Sequence, residues 1–264
     1  MKLQILNNIA KEGLDFLKDN NFELVSDQDD VSGIVLRSHN LHSLEINKSL
    51  HAIARAGAGT NNINVDDCSE NGVIVFNTPG ANANAVKEMV ICALILSKRD
   101  LVSGNKNLDS IDTENMNDDE LSKKIESMKK EFIGEEIRGK NLSIVGLGAI
   151  GSMVAEQAIN LGMKVKAYDP GLTVDIALGL PSSLERCDSM ENCFGDADYV
   201  SLHIPLNSST EGIINKNKLG LLNKDAVLIN FSRGGIVDEK DLLDQLDNGM
   251  LLKYVTDFPT KNLL

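Results

Sequence analysis

Tryptophan is absent from this 264-residue chain, and aromatic residues together make up 4% of it. The core must therefore be aliphatic. Positive charge is scarce: 26 Lys and Arg stand against 39 Asp and Glu, a formal net charge of −13. That balance argues against nucleic acid and anionic membrane surfaces as partners, although a local basic pocket can still hold an anionic substrate. The four cysteines, Cys68, Cys92, Cys187 and Cys193, form no C-x-x-C pair. Zinc-ligand spacing is missing, so no metal site is expected and the thiols read as reduced, as in a cytoplasmic protein. No apolar run approaches the ~18 residues of a membrane span. The first residues, Met1 to Asn8, lack the apolar stretch and cleavage pattern of a secretory signal. What remains, 42% hydrophobic and 25% charged, has the composition of a soluble globular protein of one or two domains.

The densest information lies in mid-chain. Leu142-Ser143-Ile144-Val145 is a short apolar run of the kind that forms a buried parallel strand. Gly146-Leu147-Gly148-Ala149-Ile150-Gly151 follows at once. Gly146 permits a tight turn, Gly148 lets a pyrophosphate approach the backbone, and Gly151 lets the next helix pack closely. That helix is predicted from Ala149 to Leu161, its free N–H groups facing the pyrophosphate. A second strand, Met163 to Tyr168, ends at Asp169, eighteen residues past Gly151. A carboxylate there accepts hydrogen bonds from ribose hydroxyls and repels a 2′-phosphate, which favours NAD over NADP.

On either side of this fingerprint the chain alternates strand and helix patterns. Leu3–Leu6, Gly33–Arg37, Ala52–Ala56 and Val73–Phe76 read as strands, and Glu12–Lys18 and Val86–Ser97 as helices. Leu101 to Glu120 is polar and acidic, and Ser122 to Phe132 reads as an exposed charged helix. Beyond the fingerprint, Ala197–His203, Ala226–Asn230 and Leu251–Val255 are further buried-strand patterns. The expected organisation is α/β with two parallel-sheet domains: residues 1–98 a flavodoxin-like domain, 99–138 an acidic helical linker, 139–264 a Rossmann domain. In such sheets ligands bind beyond the carboxyl ends of the strands, so the polar residues there are the ones to inspect.

Several of those strand ends resemble one family along the whole chain. They are Arg55-Ala56-Gly57-Ala58-Gly59, Asn77-Thr78-Pro79-Gly80, the glycine fingerprint, His203-Ile204-Pro205-Leu206, and Asn230-Phe231-Ser232-Arg233-Gly234-Gly235-Ile236-Val237-Asp238. The set is similar to the D-isomer-specific 2-hydroxyacid dehydrogenases. Val35-Leu36-Arg37-Ser38 and Pro79 to Glu88 resemble the branch acting on 3-phosphoglycerate. The resemblance implies NAD-dependent oxidation of that acid to 3-phosphohydroxypyruvate, the first step of serine synthesis.

It also implies roles by position. Arg233 aligns with the catalytic arginine, which polarises the carbonyl oxygen as it forms. Gly146, Gly148, Ala149, Ile150, Gly151, Asp169, His203, Pro205, Thr210, Phe231, Ser232, Arg233 and Asp257 fall at cofactor positions. Backbone N–H groups of Ala56 and Gly57 are expected to hold the substrate carboxylate. Arg37 and Ser38 match the phosphate pair and Asn82 a further substrate contact, with Lys87 a possible helper. Arg55 is as readily a packing residue as a ligand. The partner is thus a small phosphorylated hydroxy acid, and a homodimer or higher oligomer is expected, as in the intact family.

The family's base, a histidine paired with a glutamate, departs from this pattern. Lys261-Asn262 stand where the glutamate belongs, and the histidine would fall some twenty residues later, beyond Leu264. None of His39, His42, His51 and His203 aligns with it. The Rossmann domain is therefore expected to be incomplete at its C-terminal end, and the chain alone to show no turnover. The alternatives are another D-2-hydroxyacid dehydrogenase, or a non-catalytic NAD-binding remnant or sensor.

Overall fold

The structure is a computed structural model and describes residues 1–26, 30–113 and 115–264. It divides into two compact units, Met1–Asn82 and Ala83–Leu264.

The first unit contains β1 (Lys2–Ile5), α1 (Lys11–Asp19), β2 (Glu23–Val25), β3 (Gly33–Leu36), β4 (Ala52–Arg55), α2 (Val65–Glu70) and β5 (Ile74–Phe76). Its strands are all parallel and stand in the order β2-β1-β3-β4-β5. This is the flavodoxin-like order, in which the strand sequence reverses between β1 and β3. Ile34, Leu36, Ile53, Ile63 and Val73 form its aliphatic core. Gly33 sits where the strands pack closely: a Cβ there would lie 2.8 Å from Leu3 Cδ2 and 3.3 Å from Ala52 O. The strand β2 has no counterpart in the sequence reading; Glu-Leu-Val is short, and none of it is fully buried.

The second unit begins with α3 (Ala83–Leu96), α4 (Leu101–Asp109), α5 (Asp118–Lys129) and a 3-10 turn, Lys130–Phe132. It continues with β6 (Asn141–Val145), α6 (Ala149–Asn160), β7 (Lys164–Tyr168), α7 (Val174–Gly179), β8 (Glu185–Arg186), α8 (Met190–Phe194) and β9 (Tyr199–Leu202). The last elements are α9 (Lys216–Leu219), β10 (Ala226–Asn230), a 3-10 turn at Gly234–Ile236, α10 (Glu239–Asp247) and β11 (Leu251–Thr256). The sheet order is β11-β10-β9-β6-β7-β8. Numbered from β6, this is the two-half dinucleotide-binding order, reversing between β6 and β9. Strands β6 to β8 form one half and β9 to β11 the other, with β11 as an outer strand.

Alternation along the strands builds two cores. Leu142, Ile144, Val165, Tyr199, Val227 and Ile229 face one side. Val145, Val200, Leu202, Ala226 and Leu228 face the other. Burial on both faces is what makes these strands continuous apolar runs. The helix α3 belongs to this unit: Val90, Ala93 and Leu94 share a core with Val154, Ala155 and Ala158 of α6. The boundary between units thus falls before α3 rather than at residue 98. Between α3 and β6, α4 and α5 bury no residue. Helix α5 is held by its cap: Asn117 Oδ1 accepts from Glu120 N at 3.0 Å, and the Glu120 carboxylate accepts from Asn117 N at 3.1 Å. Among the described residues, no helix is long and apolar enough to cross a membrane.

Candidate functional site

In the second unit the strand order reverses beside the loop after β6. Gly146 adopts φ +95°, and its N–H donates to Tyr168 O at 2.9 Å. A Cβ at Gly146 would stand 2.5 Å from His203 O, and one at Gly151 would stand 1.9 Å from Gly146 O. Both glycines are demanded by the protein's own packing. Gly148 differs: a Cβ there would meet nothing within 4 Å. Its missing side chain leaves open the space in front of α6, and no side chain caps that helix. The unsatisfied N–H groups of the first turn, which includes Ala149 and Ile150, together with the helix dipole, make this end an anion site.

Asp169, just past β7, fixes the loop. Its Oδ2 accepts from Leu147 N at 2.7 Å and its Oδ1 from Gly171 N at 2.8 Å. Each oxygen retains a second lone pair for a ribose hydroxyl. Open glycine, uncapped helix and terminal carboxylate together fit a dinucleotide.

The ends of β9 and β10 are braced by polar side chains. Ser201 is fully buried, and its Oγ shares a 2.9 Å hydrogen bond with His203 Nε2. Burial pushes the His203 imidazole down from its ordinary 6.5 to about 4, so it is neutral and a weak base. This argues against His203 as the proton acceptor. The unfolded histidine binds protons between those two values and the folded one does not, so stability should fall as pH drops through that window. The thermal midpoint of the wild type should decline faster on acidification than that of His203→Gln; equal slopes would contradict the burial.

Thr210 Oγ1 donates to Pro205 O at 2.6 Å and accepts from Asn207 N at 2.9 Å, closing the loop that carries Pro205. Asn230, fully buried, donates to Arg233 O at 2.8 Å and Tyr254 Oη at 3.0 Å, and accepts from Ser232 N at 3.1 Å. Ser232 Oγ reaches Leu202 O at 2.5 Å. Phe231 packs on the core. The Arg233 guanidinium is half-buried and donates to Ser232 O at 2.6 Å; among the described residues it forms no salt bridge. Asp257 is exposed just beyond β11. At the anticipated glutamate position, Asn262 Nδ2 binds Glu239 Oε1 at 2.6 Å and Lys261 is exposed.

In the first unit, the reversal between β1 and β3 brings Asn7 to the Arg37–His39 loop. The exposed Arg37 and Ser38 lie here, and Arg37 forms no salt bridge among the described residues. One expectation is corrected. Ala56 N donates to Leu36 O at 2.8 Å and Gly57 N to Arg55 O at 2.9 Å, so neither N–H is available to a carboxylate. The β3–β4 ladder takes the first and a tight turn takes the second. The free N–H groups of that loop are the next two, on Ala58 and Gly59, for which no protein acceptor stands among the described residues. Asn77 Nδ2 holds Ala58 O at 2.7 Å, fixing their direction. Asn82 is exposed at the end of this unit, and Lys87 binds Asn84 Oδ1 on its own helix at 2.7 Å.

Residues 102–263 match the model of the D-isomer specific 2-hydroxyacid dehydrogenase NAD binding domain. The chain belongs to that family. The second unit's sheet is thus the framework of a D-2-hydroxyacid dehydrogenase NAD domain. A D-3-phosphoglycerate dehydrogenase of Methanocaldococcus jannaschii is 32% identical over 81% of this chain and 38% of its own length. A hydroxypyruvate reductase of Thermotoga maritima is 34% identical over 78% of this chain and 61% of its own. The chain therefore spans less than two thirds of these relatives. Among solved structures, the TT0316 protein of Thermus thermophilus superposes with a TM-score of 0.78 at 24% identity, covering 99% of this chain and 85% of that one. An NAD+-bound 3-phosphoglycerate dehydrogenase of Entamoeba histolytica gives 0.73 at 25% identity, covering 99% and 81%.

The sequence reading missed Asn7, Ser201 and the double role of Asp169. Each is a polar residue at or near a strand end, which was the available signal; the partners of Asn7 and the Leu147 partner of Asp169 are distant in sequence, whereas His203 lies only two residues from Ser201.

Proposed function

We propose that this D-2-hydroxyacid dehydrogenase chain serves the oxidation of 3-phosphoglycerate to 3-phosphohydroxypyruvate, the opening step of serine synthesis, in the cytoplasm. The observation that carries the reading is the Arg37-Ser38 pair, exposed at the reversal of the first sheet on a backbone held from both sides. A guanidinium and a hydroxyl there suit a phosphate ester, whose charge a hydroxy acid with an apolar side chain lacks. The first unit then supplies substrate contacts through Arg37, Ser38, Asn82 and the N–H groups of Ala58 and Gly59. The second holds NAD.

Bound NAD supplies the acceptor for the hydride leaving C2 of the hydroxy acid. The protein's part is to orient and to stabilise charge. The α6 N-terminus and Gly148 would receive the pyrophosphate of NAD, and Asp169 would receive its ribose hydroxyls. Arg233, its loop anchored by Asn230, offers guanidinium N–H groups to the C2 oxygen as carbonyl character develops. The hydroxyl proton is released to solvent water as the C2 carbonyl forms; His203, neutral, weakly basic and bonded to Ser201, does not take it.

Direct titration tests this reading without requiring turnover. Arg37→Ala should weaken 3-phosphoglycerate binding by about 10- to 100-fold, the worth of a charge-assisted hydrogen bond, and leave NADH binding unchanged. Equal losses for both ligands would sink the assignment. Tighter binding of an unphosphorylated 2-hydroxy acid by the wild type would favour a different dehydrogenase of the same family.

A further inference from the structure

The two loops that carry the anion contacts of the first unit follow neighbouring parallel strands. Arg37–His39 succeeds β3, and Ala56–Asn61 succeeds β4, whose Arg55 pairs with Leu36 of β3. Each loop is held on its outer side by a different element. Asn7 Oδ1, at the end of β1, accepts from the N–H groups of Arg37 at 3.4 Å, Ser38 at 3.0 Å and His39 at 2.6 Å. At the end of β5, Asn77 Nδ2 holds Ala58 O at 2.7 Å and Thr78 N holds Gly57 O at 3.0 Å.

Asn62 joins the loops to each other. Its Nδ2 donates to His39 O at 2.6 Å and to Arg37 O at 3.4 Å, and its own carbonyl accepts from Leu41 N at 2.8 Å. Two flanking bonds run between the same segments: Arg55 Nε donates to Arg37 O at 2.9 Å, and His42 Nε2 lies 2.9 Å from Asn61 O. Asn62 is buried, and its Oδ1 is shut from solvent with no hydrogen-bond partner among the described residues. An unpaired buried oxygen destabilises a fold, so its presence calls for a reason. The donor half of the same amide provides one.

We propose that Asn62 is a positioning residue that locks the two loops at one separation, and that the site thereby selects ligands carrying two anionic groups at that spacing. Selection by spacing rests on the phosphoglycerate reading above, in which Arg37 and Ser38 take the phosphate and the N–H groups of Ala58 and Gly59 the carboxylate. The advantage is that of a tethered ligand. Once one anion is seated, the other meets its loop at high effective concentration, provided that the loops keep the matching distance. A loop free to drift loses part of that advantage to ordering. A ligand with a single anion draws nothing from the lock.

Asn62→Ala removes two donated bonds together with the unpaired oxygen, so the first unit should stay folded. Titration of 3-phosphoglycerate, D-glycerate and inorganic phosphate against variant and wild type reads the selection, and NADH titration reports on the second unit. Affinity for 3-phosphoglycerate should fall about tenfold or more, while D-glycerate, phosphate and NADH change by less than about twofold. Hydrogen–deuterium exchange in the peptide spanning residues 36–42 should speed up by about threefold or more. His42→Ala, an exposed substitution that cuts one flanking bond, should shift 3-phosphoglycerate affinity the same way by about threefold, and it carries the test if Asn62→Ala fails to fold. Unchanged 3-phosphoglycerate affinity in whichever variant folds, or an equal loss for all three ligands, overturns the selection. Unchanged exchange overturns the lock. If the wild type binds 3-phosphoglycerate no more tightly than D-glycerate, the phosphoglycerate reading falls and selection by spacing falls with it, while the exchange measurement still decides whether Asn62 locks the loops.

Discussion

Alanine at Gly148 is expected to abolish useful NADH binding and leave the fold intact, whereas alanine at Gly151 is expected to damage the fold itself. The two glycines stand in one hexapeptide and look equivalent in sequence. Their surroundings are opposite. A Cβ at Gly151 would lie 1.9 Å from Gly146 O, a backbone atom that moves only if the loop or α6 moves. Forcing a methyl group into such a contact costs about 3 kcal/mol. In a unit of this size that lowers the thermal midpoint by about 10 °C. A Cβ at Gly148 meets no protein atom within 4 Å, so the folded state gains no clash. It would instead occupy the space through which a pyrophosphate reaches the α6 N-terminus. Gly148→Ala should raise the NADH dissociation constant at least about tenfold, or 1.4 kcal/mol, with an unchanged melting curve. Thermal unfolding and NADH fluorescence titration on the two variants check this. A destabilised Gly148→Ala would show that residue 148 is a packing glycine.

The second large effect is expected at Asn230, which no substrate needs to touch. Its amide is fully buried and joins three groups of two segments: Arg233 O, Ser232 N and Tyr254 Oη. Asn230→Ala removes the shared partner and leaves all three without it, at a cost of about 3 kcal/mol in urea unfolding. Tyr254→Phe removes one of the three bonds, and about 1 kcal/mol is expected. The Arg233 backbone is held through its carbonyl by Asn230, so Asn230→Ala should also loosen the guanidinium's placement. A stability loss in Asn230→Ala no larger than in Tyr254→Phe would show that the bond to Tyr254 alone matters.

How far the sequence spoke depended on whether a feature was local. Strands buried on both faces announce themselves as apolar runs, and β6, β9 and β10 fell where those runs stood. The short strands β2 and β8 bury too little to leave such a trace, and Glu185-Arg186 has no apolar residue at all. The glycine fingerprint was legible because turn, open approach and helix start all lie within six residues. The anion loop of the first unit was not. Which N–H groups after β4 are free depends on the β3–β4 register, and that pairing takes Ala56 and shifts the donors to Ala58 and Gly59. Asn7 was invisible for the same reason: its three partners lie about thirty residues on, and only the sheet order brings them together. The placement of α3 followed from its packing on the small alanines of α6, a property of the partner helix as much as of its own pattern.

Asp169 joins two properties that evolution would find convenient to vary separately. The carboxylate proposed to discriminate against a 2′-phosphate is the same group that ties down Leu147 and Gly171. Exchanging it for a smaller or neutral residue to admit the phosphorylated dinucleotide would remove the brace of the glycine loop in the same step. A lineage moving toward that cofactor would therefore need a compensating acceptor for the Leu147 N–H before, or together with, a new cation. On that proposal, cofactor choice in this chain is guarded by its architecture as well as by its charge.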